Sequence, residues 1–326
     1  MFKMLYNQAK LMMCIQPISP ILVKSGLEAF DPTRPDMEFI RSRVPIGDEV
    51  KEVPFIPGSS IKGIIRSHAE RILRTLNLQC CDISRKGEDC ISWWEKKEKK
   101  EKGEAEKEMR YKDHCYACRT FGSTKLASRT RISDANPWKF GAKQEEMKTQ
   151  IESIHTEERP GVMIDRRRGT AAKGSLFFFE VLTSGSFFAE ITLRNYQLWQ
   201  LALLSLVLRD INEGHQRLGA GKSRGLGKVS VRIEDFEIQQ LGALAGDGTK
   251  MYGVGKLNSL KKEYDLLEDD EITKTNSLKV ETNGFIRTIF KPDPSVSPNT
   301  CWEEMATELV KSKNWNKLLE GGKTHD

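Results

Sequence analysis

After the turn Pro57-Gly58-Ser59-Ser60, apolar side chains fall at Ile61, Ile64, Ile65, Ala69, Ile72, Leu73 and Leu76. That three-and-four spacing predicts an amphipathic helix with a serine at its start. Residues 176–182 (LFFFEVL) and 187–193 (FFAEITL) predict two strands joined as a hairpin by Thr183-Ser184-Gly185-Ser186. Residues 195–211 predict a second helix, apolar on almost every face and therefore buried. Val229, Val231 and Ile233 alternate with polar neighbours, so a half-buried strand is expected over 229–238. An early strand over 14–23 completes the set, and Pro17 and Pro20 predict that it is bulged or at an edge.

The resulting order is strand, helix, strand, strand, helix, strand. It predicts an α+β chain with a ferredoxin-like frame, the frame also used by common RNA-recognition modules. Residues 1–240 are expected to form this domain, interrupted by a charged loop at 26–54 and an insertion at 80–136. Within the insertion, the Lys/Glu run 95–112 is expected to be a solvated helix or unstructured. Residues 241–326 read as a linker (242–255) and an extension with a helix near 302–319.

Charge sharpens this picture. The chain has 326 residues and a net charge of +6. Residues 241–326 hold 12 Lys and Arg against 14 Asp and Glu, leaving 40 against 32 in residues 1–240. The basic excess sits on the predicted domain and suits a polyanionic partner. The longest greasy stretch, 201–208, is well short of the ~20 residues of a membrane span, and the N-terminal run 11–15 is too short for a signal peptide. No membrane partner is expected, and a cytoplasmic setting would keep the seven cysteines reduced.

Cys115-Tyr116-Ala117-Cys118 is a CxxC pair, and Cys81 and Cys90 lie upstream. Four thiolates so spaced can enclose a tetrahedral structural zinc, in a segment with too little apolar content to fold unaided. His68, His114 and Cys80 are alternatives for a fourth ligand, while Cys14 and Cys301 are isolated.

The loop Gly219-Ala220-Gly221-Lys222-Ser223-Arg224-Gly225-Leu226-Gly227 contains a GKS triplet. A nucleotide-binding phosphate loop needs a further glycine at 216, where this chain has Gln216, and it runs from strand into helix rather than the reverse. A nucleotide-dependent enzyme is therefore disfavoured. Glycine-exposed N–H groups beside Arg217, Lys222, Arg224 and Lys228 suit an RNA backbone. Lys62 and Arg66 lie four apart near a helix start that favours anions. Arg119, Lys125, Arg129 and Arg131 follow the CxxC, and Arg166, Arg167 and Arg168 are expected at a hairpin tip.

Three stretches, PFIPGSSIKGIIRSHAERILR, CYACRTFGSTKLASRTRISDA and RLGAGKSRGLGKV, resemble the repeat-associated RNA-binding (RAMP) family of CRISPR systems, specifically the backbone subunit of type III effector complexes. The resemblance spans roughly residues 15–238. It implies a ferredoxin-like palm and a thumb hairpin at about 155–175, with 162–173 as its arginine-bearing part. Copies or paralogues would stack along a guide (CRISPR) RNA with other effector subunits, each thumb interrupting the pairing of guide and target RNA. Lys62, Arg66, Lys222 and Arg224 would hold guide backbone.

In such subunits an aspartate in the loop after the first strand supports cleavage of target RNA, dependent on Mg or Mn, by attack of the ribose 2′-hydroxyl. Here the loop offers Asp36, with Asp31 second; it departs from the commoner glycine-rich pattern. Two readings follow: an endoribonuclease subunit cutting through Asp36, or a non-catalytic guide-binding scaffold.

Overall fold

A computed structural model describes residues 4–25, 35–101, 108–241, 248–257, 264–283 and 287–321. The chain runs through β1 (Asn7–Pro17), a hairpin of β2 (Arg41–Ile46) and β3 (Glu49–Pro54), and helix α1 (Gly58–Thr75). The insertion contributes α2 (Cys90–Glu101) and α3 (Tyr116–Phe121). Next come β4 (Thr130–Ile132), α4 (Gln144–Glu152), a ribbon of β5 (His155–Ile164) and β6 (Ala171–Ser184), then β7 (Phe187–Arg194), α5 (Leu198–Asn212) and β8 (Val229–Leu241). The C-terminal part adds β9 (Lys250–Tyr252), α6 (Val254–Leu257), β10 (Glu271–Thr273), β11 (Leu278–Asn283), β12 (Arg287–Pro292), α7 (Pro298–Lys311) and α8 (Lys313–Gly321).

The main sheet is antiparallel, in the order β11-β12-β8-β1-β7-β4. Four adjacent strands ending at the β4 edge, β8-β1-β7-β4, with α1 and α5 as the two crossovers, are the ferredoxin-like frame. Met13 and Ile15 of β1 meet Ile61 and Ile65 of α1 and Leu208 and Ile211 of α5, which sets the helical face of the core.

Two strand expectations are corrected. The second strand of the frame is β4, not 176–182. Residues 176–182 lie in β6, which pairs with β5 and not with β7. A continuous apolar run does not reveal which partner covers it: Leu176 and Phe178 stay exposed, and only the end of the run, at Val181 and Leu182, enters the core. The first strand begins at Asn7 and is central, between β8 and β7. Pro17 closes it, so the missing proline N–H interrupts no inner hydrogen bond, and the irregularity opposite Met12 and Met13 leaves Glu234 as the extra residue of β8.

Beyond β8 the chain completes the same body. β12 pairs with the end of β8, setting Phe290 opposite Ile238. Helix α7 covers α5 and β8, with Trp302 edge-on to Phe236 at 5.5 Å. Part of the expected linker is ordered as β9 and α6, and the expected terminal helix is two helices, broken where Ser312 adopts an extended conformation. Asp270 fastens this part to the frame. Its fully buried carboxylate accepts from the N–H of Leu198 at 2.8 Å and of Gly255 at 2.9 Å, and from the Asn314 amide. Burial pushes its pKa up to about 7 against those hydrogen bonds.

Candidate metal centre and nucleic-acid interface

Cys115 is the N-cap of the short helix α3, and its sulfur accepts from the Cys118 N–H at 3.5 Å. One turn of helix therefore puts both CxxC sulfurs on one side. Cys81, after α1, and Cys90, opening α2, complete a buried group in which all four ligand atoms lie within 4.8 Å of one another. Two separations, Cys81–Cys118 and Cys115–Cys81, are 3.6 Å. Tetrahedral bonds of ~2.3 Å would place neighbouring sulfurs about 3.8 Å apart, so the donor set fits a zinc-sized ion. This buried four-cysteine group can hold a structural metal.

The alternative ligands have other work. His68 Nε2 is 2.6 Å from Asp210 Oδ2. The ring nitrogens of His114 meet the Arg110 carbonyl and Ser123 Oγ at 2.9 and 3.0 Å. Cys80 is outside the cluster.

Helix α1 carries Lys62 and Arg66 to this centre. Lys62 Nζ donates to Ser128 Oγ at 2.9 Å, and among the described residues it has no carboxylate partner. Burial, then the nearby Arg66 charge, holds the Lys62 pKa below its ordinary value. The helix start is no anion site: Asp134 Oδ1 accepts the Gly58 N–H at 2.7 Å. Sequence reasoning missed Ser128 and Asp134, whose roles depend on a fold that brings residues 128–134 under α1.

Arg129 requires a correction. It is 1% exposed, its guanidinium lies 3.9 Å from the centre of the Tyr111 ring, and it donates to the Asn195 carbonyl. It is a core cation, out of reach of RNA. Arg131 is exposed on β4 in register with Thr192, which in turn pairs with Lys10. This is the sheet face opposite α1 and α5.

The glycine loop leaves α5 and packs against residues 18–23. Ala220 N–H donates to the Leu22 carbonyl and Gly227 N–H to that of Pro20, both at 2.8 Å. Gly219 and Gly227 have φ of +80° and +85°, and a Cβ would stand 2.3 Å from the Leu22 oxygen and 2.1 Å from the Leu218 oxygen. Only glycine fits there. Between them, a single 3₁₀ turn, Lys222–Arg224, projects Lys222, Ser223 and Arg224 into solvent. Partial burial, and then Arg71, lower the Lys222 pKa.

Residues 21–24 link this loop to the ribbon. Ile21 bridges Leu182, Leu22 bridges Ala220, and Lys24 bridges Phe39. Arg41 of β2 pairs with Glu180 of β6, which also accepts the Phe39 N–H at 2.9 Å. The ribbon projects from this base. Its paired residues Val162 and Leu176, with Phe178 beyond, form an exposed apolar face. At its tip Asp165 Oδ1 accepts the Arg167 N–H at 2.8 Å, and Arg166, Arg167 and Arg168 are exposed without a carboxylate partner among the described residues.

Asp36 sits at the ribbon base, exposed, with Oδ2 accepting the Phe178 N–H at 2.7 Å. Asp31 lies outside the described residues. Among the described residues, no group of three potential ligands surrounds Asp36.

A ferredoxin-like frame, a basic glycine loop and a projecting ribbon define an α+β protein with features that RNA-binding modules of this class use. The family model described as the RAMP superfamily matches residues 14–230, and the chain belongs to that family, which is CRISPR-associated and RNA-binding. A search of curated proteins found no match. No helix among the described residues is long and apolar enough to cross a membrane.

Proposed function

We propose that the chain is a backbone subunit of a type III CRISPR effector complex, gripping guide RNA and carrying target RNA across the ribbon. The observation that supports this best is the glycine loop. It is a turn held by backbone hydrogen bonds whose Lys222 and Arg224 side chains are exposed, with no carboxylate partner among the described residues, on a platform continuous with the ribbon base. Lys62, Arg131, Arg166 and Arg167 would add phosphate contacts, and the four cysteines would hold zinc. Purifying the chain with its RNA and sequencing that RNA tests the reading: guide-type RNA of defined length is expected, and random cellular RNA would sink it.

Within this reading Asp36 would orient or deprotonate the ribose 2′-hydroxyl of the target, which attacks the adjacent phosphate and expels the 5′-oxygen. Among the described residues only Oδ2 is engaged, which leaves Oδ1 for that role. Among the described residues, a divalent Mg or Mn ion at Asp36 would find no group of three potential ligands. The scaffold reading has its own support: the bond to Phe178 already gives Asp36 a structural task at the ribbon base.

A further inference from the structure

The three guanidinium nitrogens of Arg66 face three different partners. Nε donates to Glu70 Oε1 at 2.8 Å, Nη1 to the Gly122 carbonyl at 3.0 Å, and Nη2 reaches Cys118 Sγ at 3.6 Å. Three of its five N–H donors are thus committed inside the protein, and the Glu70 carboxylate offsets the charge it would offer a phosphate.

The cysteine group has the complementary need. Four thiolates around a divalent ion carry a net charge of about −2, and burial makes uncompensated charge costly. Hydrogen bonds from groups behind the ligands orient and stabilise such centres. Arg66 supplies a positive charge and a donor at one of the four sulfurs.

The second arm of Arg66 reaches further. Gly122 ends α3 with φ +88°, and a Cβ there would stand 2.8 Å from the Ser128 nitrogen. The turn begun at Gly122 thus lies against Ser128, whose hydroxyl holds Lys62. Lys62, Arg66, Cys118, Gly122 and Ser128 together line one open cleft of about 650 Å³.

We infer that Arg66 is a positioning residue of the metal centre rather than an RNA contact, and that through it metal occupancy sets the RNA grip of Lys62. The inference rests on the proposed metal and RNA sites. If it holds, the coupling is reciprocal: RNA slows metal loss as metal strengthens RNA binding.

The test uses the full chain. Metal analysis of the wild type comes first, and a metal-free, stable protein defeats the zinc reading and this inference with it. With metal present, Arg66→Met should release it to a chromogenic chelator roughly 10-fold faster or more. The metal-saturated variant should keep the wild-type log–log salt slope for RNA. Lys62→Ala should instead flatten that slope by about 0.7. Bound RNA should slow metal release from the wild type several-fold. Arg66→Lys, which keeps the charge but cannot span Cys118 and Gly122 together, covers a failure of Arg66→Met to fold and should also release metal faster. Wild-type release rates in the folded variants, an Arg66→Met slope lowered like that of Lys62→Ala, or release indifferent to RNA would each overturn the inference while leaving the zinc reading intact.

Discussion

Asp36 and Phe178, 142 positions apart in sequence, are joined by a 2.7 Å hydrogen bond from the Phe178 N–H to the Asp36 carboxylate. The bond fixes a loop carboxylate at the root of the ribbon. It makes Asp36→Ala a test of two roles at once. In assembled complexes, Asp36→Ala should remove the cut this subunit serves from a ladder of labelled target fragments, with guide binding retained. Asp36→Asn, which keeps an acceptor for Phe178, should lose the same cut without disturbing the ribbon. An unchanged ladder for both variants and for Asp31→Ala would leave the chain as a scaffold.

Metal content gives a second prediction. One zinc per chain is expected, about 1 mol per mol by elemental analysis. Cys118→Ser should lower that content and destabilise the insertion, seen as faster proteolysis within residues 80–136. Full metal content in Cys118→Ser would contradict the assigned ligand set.

RNA affinity should fall steeply with salt, because the proposed contacts are to phosphate. Each of Lys222→Ala and Arg224→Ala should flatten the log–log slope by roughly 0.7 on single-stranded RNA. Gly227→Ala should act differently, straining the turn by about 1–3 kcal/mol through φ and the Leu218 oxygen. Fluorescence anisotropy over a salt series, with a denaturation midpoint for each variant, separates the two effects.

Asp270 predicts a pH dependence. Its folded pKa, about 7, is above the unfolded value near 3.8, so the folded state holds this proton more tightly. Its contribution to stability is complete below pH ~4 and is lost as pH rises toward 7, by at most about 1.4 kcal/mol per pH unit. Urea midpoints of metal-saturated protein between pH 5.5 and 7.5 should show this fall, and Asp270→Asn should flatten it. Parallel profiles for the two proteins would show that Asp270 does not titrate in this window.

Elements whose signal is local were legible along the chain. The apolar spacing of 61–76 became α1, the largely apolar 195–211 became most of α5, and the alternation from Val229 became β8. So were the four cysteines and the glycine turn that presents Lys222 and Arg224, since ligand chemistry and glycine turns are written in short spacings. Pairing partners, by contrast, were set by long-range packing. Whether β4 or the run 176–182 closed the sheet depended on pairing across more than fifty residues, which periodicity does not encode. The same holds for cations: Arg129 and Arg131 are two residues apart, yet one lies under Tyr111 and the other in solvent. A charge cluster read along the chain becomes a surface only after the core has taken the members whose hydrogen bonds it can satisfy.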